Sequence, residues 1–330
     1  MIIHVSKTHE NKIQELAQFY DAFVLKKENE YILVGSSKIK KVEPLHEEYV
    51  SKLFVAETDM QLADVKYHPK REVKIGNISI GGTHRNTIVI AGPCSVESKD
   101  QIEQSSQLLL ENGLTSLRGG AFKPRTSPYT FRGMGLDGLK LLDRMREKYG
   151  FTIVTEVRDS THVDAIIQYA DVIQIGAKAM YDHGILNRCG KTNKPILLKR
   201  GFGATLQEFV QTADFIMSAG NENVILCERG IRTFETKTRF TLDLCGVAYL
   251  KEYTNLPIIL DPSHAMGYSY GVPDLARACV AMDIDGLLIE THPNPKVAKS
   301  DAAQQLTHDE FSKLIQSIKP VAEAVGRKIV

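Results

Sequence analysis

The stretch TIVIAGPCSVESKDQIEQSSQLLLENGLTSLRGGAF, residues 87–122, holds one complete repeat of the pattern that decides the fold. TIVIAG (87–92) is a short apolar run rich in β-branched residues and without polar alternation, as a strand covered on both faces reads. IEQSSQLLLENG (102–113) then sets apolar residues three and four positions apart and ends on Gly113, a helix with a glycine stop. TSLRGGAF (115–122) is the next strand. Outward from this unit the rhythm continues through FTIVTEV (151–157), VIQIGA (172–177), PILLKRG (195–201), NVILCERG (223–230), PIILDPSH (257–264) and GLLIETHP (286–293). Eight strand–helix units between residues 81 and 330 predict an α/β chain folded as a (β/α)8 TIM barrel. A doubly wound open sheet, the alternative, calls for fewer units and a glycine-rich dinucleotide turn that the chain lacks.

Upstream of the barrel the pattern changes. VKIGNISIGG (73–82) alternates and carries turn glycines, so it reads as a hairpin capping the bottom of the barrel. Before it come MIIHV (1–5), the helical NKIQELAQFY (11–20), AFVLKK (22–27) and YILVGS (31–36) as a hairpin, the helical IKKVEPLHEEY (39–49), and KLFVAE (52–57). The order βαββαβ is that of a ferredoxin-like domain, too small to bury a large core without the barrel or a partner subunit. Residues 58–70 are polar and contain His68-Pro69, which places a linker there. The expected organisation is 1–65, the ferredoxin-like domain; 66–86, linker and capping hairpin; 87–330, the barrel.

Composition excludes several classes. With 41 Lys and Arg against 40 Asp and Glu, no global field favours nucleic acid or an anionic membrane, and any anion site must be local. No apolar run approaches the ~20 residues of a spanning helix, and the opening MIIHVSKTHENK lacks signal-peptide order, so a cytoplasmic location is expected. Five cysteines without a CxxC pair argue against a disulfide framework.

In such barrels the chemistry sits at the C-terminal ends of the strands. Here those ends carry Cys94; Arg118, Lys123 and Arg125; Glu156; Lys178; Lys199 and Arg200; Glu228 and Arg229; Asp261 and His264; Glu290 and His292. Arg118, Lys123, Arg125, Lys199 and Arg229 converge without a comparable excess of carboxylates, which predicts a basic mouth for a multiply anionic substrate. Arg200 and Lys178 read equally well as members of a salt-bridged belt with Glu156 and Glu228. Cys94, His264 and Glu290 come from the first, seventh and eighth strands, neighbours once the barrel closes, and Asp301 follows in the next loop. That set suits a divalent Mn, Fe, Co or Zn ion, although spacing alone favours Cys94 as a small buried hydrophobe.

The motifs AGPCSVE, LRGGAFKPRTSPY, ILLKRG, ILCERGIRTFE, DPSH, ETHP and SDAAQQL stand in order along nearly the whole chain. In them the sequence resembles the metal-dependent 3-deoxy-D-arabino-heptulosonate 7-phosphate (DAHP) synthases, in the group with an N-terminal ferredoxin-like regulatory domain. The resemblance implies condensation of phosphoenolpyruvate with erythrose 4-phosphate, opening the shikimate pathway to aromatic amino acids. It implies one divalent metal ion on Cys94, His264, Glu290 and Asp301. Phosphoenolpyruvate falls to Arg118, Lys123, Lys199 and Arg229, with Ala177 near its phosphate and Lys178 adding charge. The phosphate of erythrose 4-phosphate falls to Arg125 and Thr126, and the catalytic proton transfers to Lys123 or His264. It further implies tyrosine or phenylalanine as an effector at the N-terminal domain, and a homotetramer.

Two related readings differ in function. The 3-deoxy-octulosonate 8-phosphate synthases share GPC and KRG but replace the KPRTS segment, which is intact here; a non-catalytic regulatory paralogue would not require the complete site. One departure stands out. Where the family has an arginine, an asparagine and a glutamine-asparagine pair after the fourth strand, this chain reads GAKAMYDHGIL (176–186). Lys178 can supply charge but no bidentate fork, so weaker phosphoenolpyruvate binding is expected.

Overall fold

The computed structural model describes residues 1–123 and 129–330. The N-terminal part comprises β1 (Ile2–Ser6), α1 (Ile13–Phe19), β2 (Phe23–Lys26), β3 (Glu30–Val34) and β4 (Val50–Phe54). Its antiparallel sheet runs β2-β3-β1-β4. The second expected helix is missing. Of residues 39–49 only Pro44–Tyr49 coil, as a 3-10 turn, because Pro44 holds Glu43 in an extended conformation (ψ 143°) and a helix cannot run through it. One sheet face packs on α1 through Ile3, Val5, Leu16 and Leu33. Ile2, Leu25, Ile32 and Val34 of the other face join the main core beside Met60, Leu62 and Ala63. The polar linker expected at 58–70 is therefore partly buried. Asp214 pins it, accepting hydrogen bonds from the backbone N–H of Gln61 (2.6 Å) and Ala63 (2.7 Å).

A hairpin follows, β5 (Glu72–Ile75) and β6 (Ile78–Gly81). Val73, Ile75 and Ile80 enter the barrel interior against Ile88, Val154, Leu197, Ile225 and Leu288, so the hairpin plugs the bottom as the alternating sequence predicts.

The barrel strands are β7 (Asn86–Gly92), β8 (Ser116–Arg118), β9 (Thr152–Val157), β10 (Val172–Ile175), β11 (Ile196–Lys199), β12 (Val224–Glu228), β13 (Ile258–Leu260) and β14 (Gly286–Glu290). All eight pair in parallel, and β14 closes on β7 with Glu290 opposite Gly92. Between them lie α2 (Lys99–Glu111), α3 (Leu136–Tyr149), α4 (Val163–Tyr169), α5 (His183–Gly190), α6 (Leu206–Ser218), α7 (Leu244–Tyr253), the short α8 (Pro262–Met266), α9 (Val272–Ala281) and, last, α10 (His308–Ala324). Local chemistry sets their ends. Thr205 with Glu208 and Thr307 with Glu310 form capping boxes at α6 and α10, and Gly150 stops α3 in the left-handed region at φ 76°. A final β15 (Lys328–Ile329) adds to the outer end of β7, a pairing too short to announce itself in the sequence. No helix among the described residues is long and apolar enough to cross a membrane.

Candidate active site

Closure of the barrel assembles the first group of side chains. Pairing of Glu290 with Gly92 brings Cys94, two residues on, beside the Glu290 carboxylate. The loop after β14 returns to pair Thr291 with Leu306, and in it Asp301 takes a left-handed conformation (φ 44°, ψ 41°) that costs a non-glycine residue about 1–2 kcal/mol. Asp301 Oδ2 accepts from the Cys94 thiol at 3.2 Å. Cys94, Glu290 and Asp301 offer ligand atoms all within 4.8 Å of one another, the only such group of three or more among the described residues. His264, the fourth expected ligand, stands one contact outside, its Nε2 3.5 Å from Glu290 Oε1.

Asp261 orients that histidine. One carboxylate oxygen caps α8 by accepting from the His264 backbone N–H (2.9 Å), and the other lies 2.8 Å from His264 Nδ1. The proton is thereby drawn to Nδ1, leaving the Nε2 lone pair toward Glu290. Lys199 Nζ donates to the same Asp261 oxygen at 2.5 Å. Burial lowers the His264 pKa, against the carboxylates of Asp261 and Glu290, which raise it. Burial raises Asp261, but His264 and Lys199 outweigh it and hold the carboxyl well below the usual range.

The donor set fits a divalent cation. Burial, with Glu290 adding, pushes the Cys94 thiol up to about 12. Glu290 and Asp301 are likewise raised by burial yet held below the usual range, chiefly by His264. Two carboxylates held ionised and an imidazole thus stand around a thiol whose deprotonation a nearby cation would favour. Lys123 supplies part of that charge, with Nζ 3.2 Å from Cys94 Sγ.

Beside this cluster opens a cavity of ≈ 340 Å³. Lys123, Arg158, Lys178, Lys199, Arg229, Arg232 and Arg239 line it, against the carboxylates of Glu156 and Asp301. The expected basic mouth is present, but the expectation that its cations lack carboxylates needs correction. Arg118 turns away onto Glu290 Oε1 (2.6 Å) and the Pro93 carbonyl (2.7 Å), and Lys199 is paired to Asp261. A buried cation without such a partner would be too costly before substrate arrives. Two cations differ: the Arg229 guanidinium stacks over Phe240 (4.3 Å) with its Nε unpaired, and Lys123 has its Nζ on the Cys94 thiol, neither meeting a carboxylate among the described residues. Ala177 and Lys178 line the cavity as expected, while Arg200 belongs to the belt, bonded to Glu228 (2.9 Å) and Asp243 (2.8 Å). Arg125 and Thr126 lie outside the described residues.

Sequence reasoning missed Arg158, Arg232, Arg239, Gln304 and the orienting role of Asp261. Only Asp261 had a local signal: Asp-Pro followed by His two residues on is an N-cap, a first-turn proline and a side chain aimed back at the cap.

A buried thiol–carboxylate cluster beside a cationic cavity, at the C-terminal end of a (β/α)8 barrel, is the site of an enzyme that handles anionic substrates. The chain belongs to the DAHP synthetase I family, whose model matches residues 59–326. It is 43% identical over 270 residues to a phospho-2-dehydro-3-deoxyheptonate aldolase of Thermotoga maritima, covering 82% of this chain and 79% of that one. A 2-dehydro-3-deoxyphosphooctonate aldolase of Syntrophotalea carbinolica is 30% identical over 267 residues, covering 76% of this chain and 95% of that one. The crystal structure of the Thermotoga maritima DAHP synthase superposes with a TM-score of 0.81 at 36% identity, covering 100% of this chain and 99% of that chain. A truncated form of the Thermotoga maritima synthase covers 83% of this chain and 100% of its own length, with a TM-score of 0.77 and 39% identity.

Proposed function

We propose that this chain condenses phosphoenolpyruvate with erythrose 4-phosphate, giving DAHP and inorganic phosphate at the entry to the shikimate pathway. Family membership supports the reaction, and the heptonate relative is more similar than the octonate one, 43% against 30% identity. The single observation that carries the reading is the cavity, with seven cationic side chains and two carboxylates on its wall, set against the Cys94, Glu290 and Asp301 group.

Cys94, His264, Glu290 and Asp301 are the residues that would hold one divalent ion of the Mn, Fe, Co or Zn class, which when bound supplies Lewis-acid polarisation of the sugar aldehyde. The rest falls to the chain's own groups. Lys199 and Arg229 hold the phosphate and carboxylate of phosphoenolpyruvate, Lys178 and the backbone at Ala177 adding to the same wall. Arg118 stands behind it, countering Glu290. Asp261 grips both Lys199 and His264, so one carboxylate sets the spacing between the anion site and the imidazole. Arg125 and Thr126 take the phosphate of the sugar. As C3 of phosphoenolpyruvate bonds to the aldehyde carbon, Lys123 gives a proton to the new alkoxide; water then adds at C2, and C–O cleavage expels phosphate.

The N-terminal part, expected as residues 1–65, is read as a ferredoxin-like regulatory domain, supported by its β2-β3-β1-β4 order with α1 and a 3-10 turn in the two helical places. Tyrosine or phenylalanine as effector, a homotetramer and a cytoplasmic location go with this reading. Phosphate release from phosphoenolpyruvate with erythrose 4-phosphate, none with arabinose 5-phosphate, lost on chelation and restored by Mn2+, is the expected assay result. Equal release with both sugars would overturn the substrate assignment, full turnover by Lys123→Met would remove the proton-donor role, and indifference to both amino acids at saturation would remove the regulatory one.

A further inference from the structure

Three residues beyond Asp301 the same loop places Gln304, which is 1% exposed and makes two opposed contacts. Its Nε2 donates to Glu290 Oε2 at 2.5 Å, and its Oε1 accepts from Arg239 Nη1 at 2.7 Å. Ala302–Gln304 form a 3-10 turn that begins directly after Asp301, and with three residues per turn Asp301 and Gln304 share one face. Both reach Arg239, whose Nη1 is also 3.4 Å from Asp301 Oδ1. Arg239 runs past Gly267, where a Cβ would stand 2.5 Å from its own Cβ. Glu290 belongs to the cation cluster and Arg239 to the cavity wall, so this amide touches both. The chemistry is selective. A carboxylate only accepts and a guanidinium only donates, and a neutral amide serves both at once with its orientation dictated by the partners.

We propose that Gln304 is a positioning residue that joins the metal site to the anion site, fixing the second oxygen of Glu290 while aiming Arg239 into the cavity. The inference rests on the reading of Glu290 as a metal ligand. Outer partners of ligating carboxylates are worth about 10–100-fold in metal affinity, so Gln304→Met, of similar length but without the amide, should weaken Mn2+ binding by about that factor. Free Mn2+ counted by electron paramagnetic resonance during titration of the full chain reads this directly. Calorimetry with inorganic phosphate on metal-free protein should show a second loss, of roughly 3- to 10-fold, from the misaimed Arg239. Circular dichroism of the metal-free protein should not change. Mn2+ affinity within about twofold of wild type overturns the inference, and loss of Mn2+ affinity with phosphate affinity intact overturns the link to Arg239. Should Gln304→Met not fold, Gln304→Asn carries the same test, because its shortened amide cannot span both partners. Wild-type protein that takes up no Mn2+ would sink the metal-site reading itself; wild-type uptake matched by the variant sinks this inference alone.

Discussion

The two ends of the barrel are built from the same charged residue types and put them to opposite uses. At the bottom, a cavity of ≈ 170 Å³ is lined by Lys70, Arg71, Arg85, Lys251 and Arg327 with Asp283 and Asp285. Every one of those cations has a partner. Arg85 and Lys251 meet Asp283 (3.0 and 3.5 Å), Arg327 meets Asp283 and also Asp285 (3.1 Å), Lys70 donates to the Thr254 carbonyl (2.6 Å), and Arg71 to Asn255 (3.2 Å). At the mouth, Arg229 has no carboxylate partner among the described residues: its guanidinium lies over the Phe240 ring and its buried Nε is unpaired. Buried donors left open are destabilising unless something arrives to meet them. Charge alone therefore does not mark a site; unmatched charge does.

The comparison breaks most sharply at the cation cluster. Cys94→Ser should abolish tight metal binding and lower turnover roughly 10³-fold, the several kcal/mol of Lewis-acid stabilisation, measured as metal content and phosphate release; a variant that kept both would make Cys94 a buried hydrophobe after all. Next come matched substitutions at the two ends. Arg229→Met should raise the KM for phosphoenolpyruvate roughly 30-fold, about 2 kcal/mol, with no loss of thermal midpoint, because no protein partner of its Nε is orphaned. Arg327→Met should leave the KM alone but cost about 2 kcal/mol in urea unfolding, since Asp285 loses its counter-charge and Asp283 one of three. If both variants changed stability equally, the contrast between the ends would fail.

A smaller gain is expected from Lys178→Arg, which restores a planar fork to the cavity wall and should lower the KM for phosphoenolpyruvate about threefold. An unchanged KM would count against Lys178 as a phosphate contact. The smallest effect belongs to neither end. Burial, only partly offset by the N–H groups of Gln61 and Ala63, raises Asp214 to about 7. A carboxyl with a raised folded-state pKa binds its proton more tightly when folded. Its contribution is therefore full below the ordinary carboxyl range and is lost as pH rises through about 7. The thermal midpoint should fall by about 2 °C between pH 5 and 8, and Asp214→Asn should flatten that slope; an equally steep slope in the variant would assign it elsewhere.

What was legible in the sequence was whatever repeats or sits locally. Eight apolar runs bounded by turn residues announced the barrel, because strands covered on both faces have no freedom to be anything but apolar. The hairpin plug, the helix caps and the residues at the strand ends are likewise local matters. The helix expected at 39–49 failed at Pro44, where backbone restriction overrode periodicity. Motif resemblance, not spacing, is what singled out Cys94 and Asp301.

The tertiary structure alone decided which charges are matched. Arg118 and Arg229 look alike in sequence, yet closure of β14 on β7 hands Glu290 to the first, while the second is left on the ring of Phe240. Lys199 and His264 share Asp261 only because adjacent loops converge at the mouth, and Gln304 meets both Glu290 and Arg239 only once the loop carrying Asp301 has turned back on itself. A strand's composition follows from its burial and can be read along the chain, but whether a buried charge is satisfied depends on residues tens to hundreds of positions away, and folding alone brings them together.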